Sequence, residues 1–119
     1  MQTRTIKFRA WDGKSMYNNV VIIDGEAYLR DYFATMVKAG DCIMQYTGLK
    51  DKNGVCIFES DIIKGDLYDS RLPTMGEVVF DDHFSFYANK NEAGNTPLYR
   101  INNIEIIGNI YEHSELVDM

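Results

Sequence analysis

The chain has 119 residues, of which 45% are hydrophobic and 25% are charged. A typical domain holds about 100–200 residues, so this length fits a single domain over residues 1–119. The balanced composition excludes a disordered tail protein or a fibrous repeat. The longest aliphatic run, Val20 to Ile23, covers four residues, whereas a membrane-spanning helix needs about 20. No apolar stretch follows the charged start, so we expect a cytoplasmic protein without a membrane span or an export signal.

Negative charge is concentrated in the second half of the chain. Residues 1–60 carry eight basic and seven acidic side chains, whereas residues 61–119 carry four basic and eleven acidic ones, a net charge of −7. Nucleic-acid binding requires clustered Lys and Arg, so this balance argues against nucleic acid as a general partner. The exception is the basic start, where Arg4, Lys7, Arg9 and Trp11 form a candidate interaction surface. The alternative for this segment is the solvated end of an edge strand.

Residues 4–11 alternate between two faces. Ile6, Phe8 and Ala10 lie on one face, and Lys7, Arg9 and Trp11 lie on the other. This period of two predicts a half-buried strand. The turn residues Asp12-Gly13-Lys14 follow, so the chain is predicted to return as a hairpin through residues 16–23.

Between Gly25 and Gly40 the pattern changes. Large apolar residues recur at helical spacing, which predicts an amphipathic helix with Asp24 as its N-terminal cap and Gly40 just past its C-terminal end. The stripe consists of Tyr28, Leu29, Tyr32, Phe33, Met36 and Val37. Because the stripe is rich in aromatic residues, a strand remains the alternative for this segment.

The rest of the chain alternates short apolar runs with turn signals. The predicted strands are residues 43–46, 55–58, 62–64, 77–80, 84–88, 98–101 and 104–111. The Asn-Gly pair within Lys50–Gly54 predicts a tight turn between the first two. Residues 65–76 are predicted to form a long loop or a flexible hairpin arm, and residues 89–97 a polar loop.

Many short strands and one helix predict a mainly β fold, a β-rich α+β class. The expected architecture is a small SH3-like or partly open β-barrel over residues 42–119, preceded by an N-terminal hairpin and one short helix within residues 1–41. A barrel closes the edges of its sheet, which suits a small chain rich in β-branched and aromatic residues.

Two groups of reactive residues are candidates for chemistry. Cys42 and Cys56 lack zinc-ligand spacing, and we expect buried thiols in a reducing cytoplasm, with a disulfide as the alternative. Asp81-Asp82-His83 is predicted to be a hairpin turn, because consecutive side chains point in different directions, and a hydrolase site is its alternative. Phosphate-loop, dinucleotide-binding and nucleophile-elbow motifs are absent from the sequence. We therefore expect no enzymatic activity, no cofactor and no metal.

Four blocks of the sequence resemble the YopX family of phage and prophage proteins and occur in the same order as in that family. The central block runs from Ile43 to Gly54 and continues from Ile57 to Ile63. The other blocks are residues 6–17 (Ile-Lys-Phe-Arg-Ala-Trp-Asp, then Lys14 and Met16-Tyr17), 76–80 (Gly-Glu-Val-Val-Phe) and 106–112 (Ile-Ile-Gly-Asn-Ile-Tyr-Glu). Residues 18–40 and 65–75 are unmatched. One departure is Ser60, which stands where the family usually has Gly. A Ser with positive φ at this position costs on the order of 1 kcal/mol relative to Gly.

The resemblance implies a mainly β protein that is encoded by a phage or prophage and assembles into homo-oligomers in the cytoplasm of a bacterial host. It supplies no activity. We therefore expect a phage or prophage accessory protein that acts by binding and self-association, with an unidentified host or phage protein as partner. The alternative function is related to nucleic acid: a single-strand binder that uses residues 4–11, or an acidic decoy of a DNA-binding protein.

Overall fold

The computed structural model describes residues 5–30, 37–83 and 86–116. In these ranges the strands form three antiparallel sheets. In chain order the strands are β1 Phe8–Trp11, β2 Met16–Tyr17, β3 Val20–Ile23, β4 Glu26–Leu29, β5 Lys38–Gly40, β6 Cys42–Lys50, β7 Cys56–Phe58, β8 Asp61–Leu67, β9 Pro73–Asp81, β10 Phe86–Asn91, β11 Gly94–Pro97 and β12 Ile101–Asn109. Two 3₁₀ turns, Leu98–Arg100 and Ser114–Leu116, follow β11 and β12.

The largest sheet has five strands in the order β11-β10-β9-β8-β12. The 3₁₀ turn Leu98–Arg100 leads from one edge strand, β11, to the other, β12, and the sheet is curled into a half-barrel. Its core contains Ile63, Val78 and Ile101, together with Leu98 from the 3₁₀ turn and Ile57 from β7. This architecture confirms the prediction of a mainly β fold.

A four-stranded sheet, β2-β1-β6-β7, and a three-stranded sheet, β3-β4-β5, form the other part of the molecule. Their shared core is built from small residues, Ala10, Val20, Ala27 and Ala39. β1 lies between β2 and β6. β2 pairs only with Ala10 and Trp11, whereas Phe8 and Arg9 pair with β6 alone. The alternative of an edge strand is therefore wrong for the second half of β1 only.

The helix predicted between Gly25 and Gly40 is wrong at both ends, because residues 26–29 form β4 and residues 38–40 form β5. Residues 31–36 lie outside the described residues. β3 and β4 pair around Asp24 and Gly25, which both have positive φ, at 54° and 81°. An Asp-Gly pair is a strong signal for a two-residue hairpin turn. The helical interpretation assigned Asp24 to a cap and so missed that signal.

Both predicted loops contain strand. β8 extends to Leu67 and β9 begins at Pro73, which leaves only residues 68–72 as a loop and confirms the alternative of a hairpin arm for residues 65–76. The polar loop predicted for residues 89–97 is wrong. β10 and β11 pair from Ala88 with Pro97 to Asn91 with Gly94, because polar side chains on an edge strand do not prevent backbone pairing.

Candidate functional site

The candidate surface at the basic start is dispersed by the fold. Arg4 lies outside the described residues. Lys7 is half-buried, with its Nζ 5.0 Å from the centre of the Tyr46 ring. Trp11 is half-buried and stacks on Tyr111, with ring centres 5.7 Å apart and planes 22° apart. Its indole thus joins β1 to the segment that follows β12.

Arg9 points into the protein and is only 7% exposed. Its Nη2 lies 2.7 Å from Oδ1 of Asp61 and donates to the carbonyl oxygen of Glu59 at 3.2 Å. The guanidinium also lies over the Phe58 ring, 4.9 Å from its centre. These contacts occupy Arg9 inside the fold, so this side chain is not available to neutralise a phosphate on the surface.

Asp61 is 2% exposed and begins β8. Its second oxygen, Oδ2, accepts the backbone N–H of Phe58 at 2.8 Å. Burial raises the pKa of Asp61, and the charge of Arg9 and the hydrogen bond from Phe58 oppose that rise. A cavity of about 300 Å³ adjoins the pair and is also lined by Lys7 and Asn18.

The central block of the sequence forms the β6–β7 hairpin, and its turn is organised by Asp51. Oδ1 of Asp51 accepts the backbone N–H groups of Asn53 and Val55, and Oδ2 accepts that of Ile106 on β12. Gly54 has φ 81°, which confirms the predicted tight turn. Burial acts to raise the pKa of Asp51, but the N–H groups of Val55, Ile106 and Asn53 outweigh it, and the pKa is lowered. This carboxylate is a structural acceptor that ties the hairpin to the five-stranded sheet.

Asp81-Asp82-His83 forms the turn that follows β9. Oδ1 of Asp81 accepts the backbone N–H of His83 at 3.1 Å, and its Oδ2 accepts the amide of Asn95 at 3.0 Å. The Asp81 carboxylate therefore accepts hydrogen bonds from the turn and from Asn95 on β11, as expected for a residue of a hairpin turn. Asp82 and His83 are exposed.

The two cysteines are half-buried free thiols. Cys42 lies beside the Tyr111 hydroxyl, and Cys56 lies beside that of Tyr46. Burial raises the pKa of Tyr111, and the neighbouring Cys42 thiol and Glu77 carboxylate contribute to the rise. Among the described residues, no group of three or more His, Cys, Asp and Glu side chains is placed to hold a metal ion.

Exposed apolar side chains form two groups that the sequence patterns did not reveal. We call the first the assembly patch: Ile6 before β1, Leu49 at the end of β6 and Val55 in the β6–β7 turn, which are 64%, 45% and 52% exposed. We call the second the aromatic ridge: Tyr68 and Leu72 in the β8–β9 loop and Tyr99 in the 3₁₀ turn, which are 65%, 61% and 74% exposed. Tyr68 and Tyr99 each sit between a Leu and a charged residue, a repeated pattern that could have indicated an outward-facing tyrosine.

The described residues include no helix long and apolar enough to cross a membrane. No curated protein matches the chain. Solved structures that are similar to it include the following two. Protein yopX from Bacillus subtilis has 23% sequence identity and a TM-score of 0.67, with 98% of each chain covered. Protein EF1440 from Enterococcus faecalis has 28% identity and a TM-score of 0.58, with 98% of this chain and 100% of that one covered. The family model for the YopX protein matches residues 7–118, nearly the whole sequence, and the chain therefore belongs to the YopX family.

Proposed function

We propose that this chain is an accessory protein encoded by a phage or prophage, and that it acts in the host cytoplasm by self-association and binding rather than by catalysis. The observation that carries the proposal is the assembly patch. Its three side chains are each at least 45% exposed, and grouped apolar side chains on a folded surface mark sites of protein contact.

The position of the patch supports self-association. Leu49 and Val55 belong to the β6–β7 hairpin, and the backbone N–H of Tyr46 on β6 donates to the carbonyl oxygen of Lys7, next to Ile6. All three residues therefore lie at one end of the four-stranded sheet. The same patch on a second copy provides a matching apolar surface, as two-fold assemblies require.

The polar groups of the central block support a non-catalytic role. Asp51 accepts three backbone N–H groups, Asp61 is bound to Arg9, and Glu59 accepts the backbone N–H of Gln45 at 2.6 Å. Each of these carboxylates joins one strand or turn to another. Acids used in this way stabilise the fold and are not poised to transfer protons to a substrate.

The test is light scattering of the full chain and of the variants Leu49→Asp and Val55→Asp. Charges at these exposed positions leave the core intact and disfavour an apolar contact, so we expect the assembly to dissociate. Lys14→Asp, a charge change at an exposed turn outside the patch, is the matched control and should leave the mass unchanged. A wild-type chain that is monomeric at all concentrations contradicts the proposal.

A further inference from the structure

A cavity of about 550 Å³ lies between β6 of the four-stranded sheet and the β9–β10 pair of the five-stranded sheet. Its volume falls in the range of about 300–1,000 Å³ that is typical of ligand-binding cavities. Part of its lining is aromatic and comes from β9 and β10, and the rest comes from β6 and the turn after β7. The lining residues are Phe80, Phe86 and Tyr87 in the aromatic part and Gln45, Thr47, Gly48 and Glu59 in the other part. We call this space the Glu59 cavity.

The aromatic part of the lining is fixed by strand pairing. Phe80 and Tyr87 lie directly opposite each other on β9 and β10, and their rings meet edge-to-face with centres 5.2 Å apart. Tyr87 also packs against the core of the five-stranded sheet. Phe80 is nevertheless 44% exposed, so much of its ring is accessible to a ligand. Rings that are already held in place lose little conformational entropy when a ligand binds, which favours a binding role.

Glu59 supplies the charge in the lining, and its carboxylate is held in a defined position. Oε1 accepts the backbone N–H of Gln45 at 2.6 Å, and the backbone N–H of Glu59 donates to the carbonyl oxygen of Gln45 at 3.0 Å. No residue that the structure describes donates a hydrogen bond to Oε2. The carboxylate therefore has one oxygen left to accept a donor from a ligand.

No basic side chain within the described ranges neutralises Glu59. None of the lining residues is Lys or Arg, and none of the ion pairs formed by the described residues includes Glu59. Arg9 contacts the carbonyl oxygen of Glu59 rather than its carboxylate. Asp81 and Asp82 follow Phe80 in the chain and add negative charge at this end of β9. The cavity therefore attracts cations and repels phosphates.

We propose that the Glu59 cavity binds a lysine side chain that another protein presents. This inference deepens the binding role proposed above and rests on it. The ammonium group of lysine gains from both parts of the lining, because aromatic rings attract a cation and a carboxylate accepts its N–H groups in charge-assisted hydrogen bonds. The methylene groups of the same side chain pack against apolar surface while the charge stays hydrogen-bonded. A lysine therefore matches the aromatic part and Glu59 at the same time.

The hydrogen bonds of Glu59 favour lysine over arginine as the bound residue. A guanidinium binds a carboxylate best through two parallel N–H···O bonds, one to each oxygen. Oε1 of Glu59 already accepts the N–H of Gln45, which leaves Oε2 for a single strong bond. An ammonium group is a compact charge and requires only one such bond.

The probe is a short glycine peptide that carries a lysine at its centre and has both ends blocked. It is titrated into the isotope-labelled full chain, and the backbone amide signal of Gln45 is followed by NMR, because this N–H is bonded to the Glu59 carboxylate. We expect a saturable shift of this signal. The same peptide with Nε-acetyl-lysine keeps the methylene groups but loses the charge, so it should bind at least about tenfold more weakly.

Two variants test the two parts of the lining. Glu59→Gln keeps an oxygen for the N–H of Gln45 but removes the charge, so we expect it to weaken binding of the lysine peptide about tenfold or more. Phe80→Ala removes a ring that attracts the cation, and it should weaken binding about threefold or more. Glu92→Gln and Leu72→Ala, changes of an exposed carboxylate and an exposed apolar side chain outside the cavity, are the matched controls. Both should bind the peptide like the wild type.

Five results would overturn the assignment. The first is no saturation up to about 10 mM peptide, and the second is binding that either Glu59→Gln or Phe80→Ala leaves unchanged. The third is equal binding of the acetylated peptide, and the fourth is tighter binding of the peptide with arginine in place of lysine. The fifth is a loss of self-association in Phe80→Ala by light scattering, because the cavity would then belong to a contact between copies. The light-scattering test of Leu49→Asp uses no peptide, so failure of lysine binding and failure of self-association are distinguishable.

Discussion

Arg9 and Asp61, 52 residues apart in the sequence, form an ion pair of 2.7 Å that fastens the four-stranded sheet to the five-stranded sheet. Both side chains are almost completely buried. Removal of one partner from a buried pair leaves an uncompensated charge in the interior, which costs far more than the loss of an exposed pair. The stability of the connection between the sheets should therefore depend on Arg9.

We expect Arg9→Met to lower the free energy of unfolding by about 3–5 kcal/mol at neutral pH. Without the guanidinium, the pKa of Asp61 rises further above the value in the unfolded chain, because burial already raises it. A raised pKa gives a stability contribution that is full below the unfolded value, near pH 4, and is lost as the pH rises through the folded value. The deficit of Arg9→Met should therefore shrink as the pH is lowered. Urea denaturation between pH 4 and pH 8 measures it.

Arg100→Met is the matched control for this variant. Arg100 pairs with Asp69 at 3.7 Å, and both side chains are more than half exposed. Such a pair contributes at most about 1 kcal/mol. If the two variants lost equal stability, the buried pair would not be what holds the sheets together.

Ser60 has φ 72°, so the cost anticipated for a Ser at the position of the usual Gly applies in this chain. We expect Ser60→Gly to stabilise the protein by about 1 kcal/mol, reduced by the loss of the Ser60 hydroxyl beside the Tyr111 side chain. Ser60→Ala keeps the strained φ and loses the hydroxyl, so it should be less stable than the wild type. The Gly variant should have the highest melting temperature, the wild type with Ser an intermediate one and the Ala variant the lowest, with steps of about 4 °C per kcal/mol. A Gly variant that melts below the Ala variant would contradict this explanation.

Local sequence patterns predict a hairpin correctly where no second pattern competes with the turn signal. The Asn-Gly pair at Gly54 was assigned to a tight turn, and the β6–β7 hairpin follows from it. The equivalent signal at Asp24 and Gly25 was present but competed with an aromatic stripe that also fits helical spacing. Where two periods fit the same residues, the pairing partner decides between them, and for β4 that partner is β3.

The orientation of Arg9 could not be predicted from local patterns. Alternation placed it on the outer face with Lys7 and Trp11, and a charged residue is normally solvated. Its burial depends on Asp61 at the start of β8, which follows β2 to β7 in the sequence and is 52 residues away. The aromatic ridge was missed for the same reason, because Tyr68 and Tyr99 become neighbours only when the curled sheet brings the β8–β9 loop against the 3₁₀ turn.

Three glycine substitutions separate backbone strain from steric clash. Gly54 and Gly94 have positive φ, and an added Cβ would meet nothing within 4 Å at either position. Each change to Ala should therefore cost about 1–2 kcal/mol from strain alone. At Gly76 an added Cβ would lie 2.4 Å from the carbonyl oxygen of Lys90 and 2.6 Å from Oδ1 of the buried Asn89. Relief of that contact requires movement of the β9–β10 backbone.

We therefore expect Gly76→Ala to destabilise more than Gly54→Ala or Gly94→Ala, which should be similar to each other. Thermal denaturation followed by circular dichroism ranks the three variants. A Gly76→Ala protein as stable as the wild type would show that β9 and β10 are not in the close register of this structure.

Asp51 provides a second pH-dependent test, for a carboxylate whose pKa is lowered rather than raised on folding. An Asn side chain has one oxygen to accept the three backbone N–H groups that the two carboxylate oxygens of Asp51 accept. Asp51→Asn should therefore lower the free energy of unfolding by about 2 kcal/mol at neutral pH. The pKa of Asp51 is lowered on folding, and a lowered pKa gives a contribution that is present above the unfolded value, near 4, and is lost as the pH falls through the folded value. The difference between wild type and Asp51→Asn should therefore shrink below about pH 4. Asp82→Asn, in the exposed turn after β9, is the matched control and should change stability by less than about 0.5 kcal/mol. A difference that stayed constant from pH 7 to pH 3 would mean that the charge of Asp51 does not hold the β6–β7 turn against β12.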